Sequence, residues 1–155
     1  MDIAVPDHVN IVVTDMNRSV EFYQNVFQLR KGFETVLTGA WIDQVTGEKD
    51  VEAHCVFMES SLSPIRIELL RYVNPTAPAY TNNSRPQVPG LRHIAFNVPD
   101  LDDFYDRARS LGVTFTSPPV AVPFPLPGGR SKRLCYFLDP DGALLEAAEY
   151  RSDKD

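Results

Sequence analysis

No apolar run in the sequence approaches the ~18 residues that a membrane-spanning helix requires. Lysine and arginine nowhere cluster among aromatics, so the electrostatic footprint of a nucleic-acid binder is missing, and a formal net charge of −6 argues the same way. Cysteine is scarce. Cys55 and Cys135 each lie inside an apolar stretch, where small buried thiols are expected rather than a disulfide or a thiolate metal ligand. The first residues show no basic segment followed by an apolar one, so no secretory signal is read and a cytoplasmic protein is expected. With 155 residues, 43% hydrophobic and 23% charged, what is present suffices for one globular domain, and small molecules become its default partners.

The most informative feature is an internal repeat. One copy opens Asp7-His8-Val9-Asn10-Ile11-Val12-Val13-Thr14-Asp15, the other Leu91-Arg92-His93-Ile94-Ala95-Phe96-Asn97-Val98-Pro99-Asp100. In both, a histidine begins an alternating strand and an aspartate closes it. Val9, Ile11 and Val13 face one way, as do Ile94, Phe96 and Val98, so His8 and His93 stand on the face that is not packed as core. The aspartates are placed to cap helices whose apolar stripes run Met16, Val20, Tyr23, Phe27 and Leu101, Phe104, Ala108, Leu111, the second stopped by Gly112. Strands are expected near 33–38, 52–58 and 65–72 in the first copy, and near 113–115, 133–138 and 144–150 in the second, the last two joined by the turn Asp139-Pro140-Asp141-Gly142. The first module thus covers about 7–73 and the second about 90–150. Between them 74–89, with four of the 13 prolines, reads as a linker, and 118–129 as a loop at the rim of a site.

Each copy ends in a strand that carries a carboxylate among apolar neighbours, Glu68 between Ile67 and Leu69 and Glu146 between Leu145 and Ala147. An unpaired carboxylate there would cost several kcal/mol, which a cation offsets. Taken singly, a histidine that opens a strand is an ordinary surface or core residue. His8, Glu68, His93 and Glu146, at equivalent places in two repeats, argue instead for the ligand set of one divalent metal. Imidazole suits Zn, Fe, Ni or Co, carboxylate suits Mn or Mg, and a mixed set leaves positions for water or substrate.

The paired openings, the Asp-Pro-Asp-Gly turn and the two glutamate strands resemble the vicinal oxygen chelate superfamily, over nearly the whole chain from Asp7 to about Tyr150. That superfamily includes glyoxalases, methylmalonyl-CoA epimerase, extradiol dioxygenases, fosfomycin-modifying enzymes and bleomycin-sequestering proteins. The resemblance implies an α+β fold of two tandem βαβββ modules that curl into a cupped, barrel-like mixed sheet around the metal. It also implies a metal (Zn, Ni, Co, Mn or Fe), a substrate with vicinal or carbonyl oxygens, and compatibility with a homodimer.

Departures from the family patterns order the reactions. Extradiol dioxygenases use two histidines and one glutamate, and Glu68 fills the place they leave unligated; their upstream histidine also has no counterpart between Val122 and Arg130. Tyr136 matches a tyrosine those enzymes hold near substrate, which keeps a dioxygenase as the alternative. The arginine and asparagine with which glyoxalases grip glutathione correspond to Val12 and Tyr72, so glutathione adducts are poor candidates. Antibiotic-sequestering members generally lack the ligands present here, which leaves resistance by binding as a further alternative. Metal-assisted proton abstraction beside a carbonyl, by an isomerase, epimerase or lyase, is the resulting expectation. Glu146 and Glu68 are its candidate bases. His54 is a third, provided that Cys55 and Phe57 point to the helix and His54 into the cup. Arg66, which shares parity with Glu68, could meet a substrate anion or form a rim salt bridge.

Overall fold

The structure, a computed structural model, describes residues 4–78, 81 and 83–152. The chain divides into two compact units, Met1–Ala79 and Tyr80–Asp155. In the first, strands β1 (His8–Val12), β2 (Arg30–Thr38), β3 (Glu52–Ser60) and β4 (Ser63–Asn74) form a sheet in the order β1-β4-β3-β2, and helices α1 (Met16–Phe27) and α2 (Ala40–Thr46) lie in the connections. The second has strands β5 (His93–Asn97), β6 (Val120–Ala121), β7 (Ser131–Leu138) and β8 (Leu144–Arg151) in the order β5-β8-β7-β6, with helix α3 (Leu101–Ser110) after β5. In each unit the first strand runs parallel to the last and the other pairings are antiparallel. The wiring is therefore βαβββ twice, an α+β fold, with α2 added to the first copy.

The helix starts follow from the two aspartates. Asp15 accepts from the backbone N–H of Arg18 at 3.1 Å and Asp100 from that of Asp103 at 2.9 Å, each satisfying a donor that a helix start leaves without a partner. Gly112, at φ +84°, supplies the left-handed residue just beyond α3. The stripe of α1 is rotated slightly from its expected position: Met16, Ser19, Tyr23 and Val26 are buried, and Val20 and Phe27 only partly. In the first unit Tyr23, Val26, Val56, Met58 and Leu69 are buried, and in the second Leu101, Phe104, Phe137 and Leu145. Phe104 and Phe115 both pack on the Phe137 ring, at 5.7 and 5.1 Å between centroids.

Two expected elements differ. The connection between the strands expected near 33–38 and 52–58 contains α2, stopped by Gly47 at φ +74°, and Asp43 on this helix accepts from the N–H groups of Asp50 and Val51. The expected strand at 113–115 is reduced to one bridge, Phe115 to Phe137, and the edge strand proper is β6. Pro118 and Pro119 lack the N–H that a ladder needs, so pairing along β7 breaks after Thr116 and resumes at Val120. The Asp139–Gly142 turn forms as expected, with the Asp139 carboxylate accepting from the N–H groups of Asp141 and Ala143. Both cysteines are free and buried. No helix among the described residues is long and apolar enough to cross a membrane.

Candidate metal centre

In the first unit the β1–β4 register sets His8 beside Arg66 and Asn10 beside Glu68, and β3 sets Phe57 opposite Glu68. Strand alternation therefore brings His8, Asn10, Phe57, Arg66 and Glu68 to one face. His8 Nε2 is 3.4 Å from Glu68 Oε2. The other ring nitrogen, Nδ1, is 2.8 Å from Asp7 Oδ2, and Arg66 pairs with the same carboxylate oxygen. The His8 hydrogen bond, followed by the Arg66 guanidinium, holds the Asp7 carboxyl below the ordinary range. A carboxylate at Nδ1 keeps the ring proton there and turns the Nε2 lone pair toward Glu68. Glu68 accepts from Asn10 Nδ2 at 3.1 Å and, through Oε1, from the Cys55 thiol at 3.5 Å. Burial, then the Glu68 charge, pushes that thiol up to about 11, so it remains a donor.

The second unit repeats this arrangement. Ala95 lies beside Glu146 on the parallel strand and Tyr136 opposite it on the antiparallel one. His93 Nε2 is 3.4 Å from Glu146 Oε2, the same separation as in the first unit. An aromatic ring packs on each histidine, Phe57 on His8 at 5.6 Å and Tyr136 on His93 at 5.3 Å between centroids. The surroundings differ, because Glu146 is only 3% exposed and its Oε1 accepts from Lys132 Nζ at 2.7 Å. Burial, followed by the Glu146 charge, raises the Tyr136 hydroxyl above its ordinary value and keeps it protonated at neutral pH.

A family model described as Glyoxalase/Bleomycin resistance protein/Dioxygenase superfamily matches residues 5–147. The chain belongs to that superfamily. The Bacillus subtilis protein YwkD is 28% identical over 142 residues, which cover 92% of this chain and 94% of YwkD. Glyoxalase I of Saccharomyces cerevisiae is 27% identical over 153 residues, 93% of this chain but 44% of the yeast protein. A glyoxalase family protein from Bacillus cereus has a solved structure that superposes with a TM-score of 0.83 at 25% identity, covering 97% of this chain and 96% of that one.

Members of this superfamily typically bind a divalent metal, and the donor sets can be tested against one. Two ligands about 2.1 Å from an ion stand about 3.0 Å apart at a right angle and about 3.4 Å apart at the tetrahedral angle. The 3.4 Å between Nε2 and Oε2 in both pairs is such an edge, and it exceeds an ordinary N–H···O bond. Each unit thus brings an imidazole nitrogen and a carboxylate oxygen to a separation that a shared ion would accommodate. Among the described residues, no group of three or more histidine, cysteine, aspartate or glutamate side chains gathers as a metal cluster.

His54 requires a correction. Phe57 meets His8 and Cys55 meets Glu68, so the odd-numbered residues of β3 carry the site face, and His54, paired with Val36 and Arg71, shares the opposite face with Val56 and Met58. The expected register was off by one residue, which reverses every side chain of the strand. Arg66 has its guanidinium 4.4 Å over the Phe57 ring and pairs with Asp7, as the salt-bridge alternative held. Lys132 was not singled out from sequence, although a signal existed. The Asp139–Gly142 turn fixes the hairpin register, and every even-numbered residue of β7 then shares a face with Glu146.

Proposed function

We propose that the chain is a metal-dependent enzyme of the isomerase, epimerase or lyase kind that moves a proton beside a carbonyl of a small oxygenated molecule. One observation carries this: a histidine–glutamate pair with a 3.4 Å donor edge recurs at the same register in both units. A single pair leaves a divalent ion short of ligands. His8, Glu68, His93 and Glu146 together would hold one ion, as the complete set. When bound, it would supply Lewis-acid stabilisation of negative charge developing on a substrate oxygen.

The side chains divide the remaining work. The ammonium of Lys132 at 2.7 Å holds Glu146 in place, which suits an anchoring ligand. Among the described residues the donors that hydrogen-bond the Glu68 carboxylate are neutral, an amide and a thiol, and it is the carboxylate able to turn from its place and accept a substrate proton. Tyr136, protonated beside Glu146, is placed to donate to a substrate oxygen or to return a proton.

The test is metal content together with proton exchange. Protein purified without chelators should carry close to one ion per chain, lose it on His8→Ala or His93→Ala, and melt at higher temperature when Zn, Mn, Fe, Co or Ni is restored. The metal-loaded protein should then pass deuterium from D2O into the α-position of its substrate. Absence of any metal-dependent gain in melting temperature would remove the proposal. A dioxygenase is a second reading, favoured by the contact of Tyr136 with His93 and its pairing opposite Glu146; oxygen uptake with a ring-cleaved product would select it.

A further inference from the structure

The face of β7 and β8 that carries Glu146 continues into a cationic end. Lys132 and Tyr150 are cross-strand partners on that face. Lys132 Nζ lies 5.4 Å from the centre of the Tyr150 ring, and the guanidinium carbon of Arg130 lies 5.6 Å from the same centre. Two cations are thus set against one aromatic ring in a chain whose net charge is −6. Their positions are built rather than incidental. Lys132 is anchored at 2.7 Å to Glu146, and Arg130 closes a tight turn in which its carbonyl accepts from Leu126 N–H at 2.8 Å across the left-handed Gly128 and Gly129. Arg130 is exposed and, among the described residues, makes no ion pair.

The Glu146 ion pair accounts for Lys132, whereas Arg130 brings a second cation to the same ring without, among the described residues, an ion pair of its own. The ring attracts that guanidinium only weakly and does not neutralise it. An anion bound at the ring neutralises Arg130 and accepts charge-assisted hydrogen bonds from the guanidinium fork and the ammonium. We propose that Arg130, Lys132 and Tyr150 form a subsite for a carboxylate or phosphoryl group carried by the substrate, next to the Glu146 ligand. The inference rests on the metal-enzyme proposal above and deepens it. The substrate class becomes a small oxygenated molecule that bears a fixed negative charge in addition to the oxygens that meet the metal. Lys132 joins the two regions, since one ammonium touches both the ligand carboxylate and the ring of the subsite.

The experiment is calorimetric titration of protein loaded with Zn(II), and in parallel with Mn(II), using hydroxamates as metal-chelating probes. Acetohydroxamate has no second charge. Its analogues end in a carboxylate or a phosphonate after spacers of increasing length. An acid-terminated probe of matching length should bind wild type about tenfold or more tightly than acetohydroxamate. Arg130→Met, at an exposed position, should erase that gain while leaving acetohydroxamate affinity as in wild type. A gain confined to carboxylates or to phosphonates supports the subsite and identifies the group it takes. If acetohydroxamate binds and no acid-terminated probe binds better, or if the gain survives in both Arg130→Met and Lys132→Met, the subsite is wrong and the metal centre stands. If acetohydroxamate does not bind the metal-loaded protein, the metal centre fails and the subsite with it.

Discussion

In the first unit the Glu68 carboxylate rests against an amide and a thiol; in the second Glu146 is buried against an ammonium. The histidines differ in the opposite sense. His8 is backed by the Asp7 carboxylate, whereas the residue preceding His93 is Arg92. Strand register therefore repeats the histidine–glutamate pairs, while the residues around them diverge. The comparison teaches that a duplicated scaffold can keep two histidine–glutamate pairs in register and still give the two carboxylates different surroundings, which under the proposed function would suit them to different work. In the proposed centre a charged partner would fix Glu146 as an anchor, and neutral partners would leave Glu68 able to exchange.

The largest effects should come from breaking that division directly. Glu146→Gln removes an anchoring ligand and strands the Lys132 ammonium in a half-buried place, so bound metal, measured by atomic absorption, should be lost. Glu68→Gln retains an oxygen donor but no base, so it should keep much of its metal while deuterium exchange from D2O falls ~10²-fold or more. Equal losses of metal in the two variants would show that the surroundings do not separate the roles. Exchange that survives Glu68→Gln, accompanied by oxygen consumption, would favour the dioxygenase instead.

A smaller effect tests the histidine side. Asp7 sits in the position of the outer carboxylates that orient metal-bound imidazoles, whose loss commonly costs ~10–100-fold in metal affinity. Asp7→Asn should weaken metal binding within that range, read by competition with a coloured chelator. Arg92→Ala, beside the other histidine, should not reproduce the effect if the asymmetry is real.

Much of this was legible in the sequence because duplication doubles every signal. Two histidine strands, two capping aspartates and two glutamates in apolar strands fixed the wiring and the ligand candidates before any coordinates, since alternation and capping are local physics. Three features were not legible for the same reason. Helix α2 has no counterpart in the second copy, and its seven residues are too few for a periodic stripe. The edge pairing of β6 depends on where two prolines interrupt a partner strand distant in sequence. The face of β3 depends on its pairing with β4, and its run of apolar residues lacks the clean alternation that would have marked one side.

The thiols offer a gentler perturbation of the same comparison. Burial is the main cause that pushes both Cys55 and Cys135 up to about 11, with the nearby glutamate charge second in each unit. The folded chain thus holds both protons longer than the unfolded one. Stability should accordingly be intact below the ordinary thiol range and decline as pH rises from there toward about 11. At neutral pH neither thiol should react appreciably with iodoacetamide until denaturant is added. Rapid alkylation of Cys55 alone would mean that the Glu68 side of the first unit is more open than the sheet geometry allows.

The smallest expected effect belongs to His54, and it is informative because it is small. From sequence this histidine was a candidate acid/base, on the condition that β3 turned it toward the ligands. The pairing of Phe57 with Glu68 and of His54 with Arg71 turns it the other way, onto the face it shares with buried Val56 and Met58. A side chain on the wrong face of a sheet cannot exchange a proton with a substrate held at the ligands. His54→Gln should therefore leave metal affinity and deuterium exchange within about twofold of wild type, and any change should appear as a modest shift in melting temperature. A loss of exchange near ~10²-fold with metal affinity and melting temperature unchanged would be the signature of a catalytic acid or base. That outcome would place His54 with the ligands after all and overturn the β3 register on which the assignment of the site face depends.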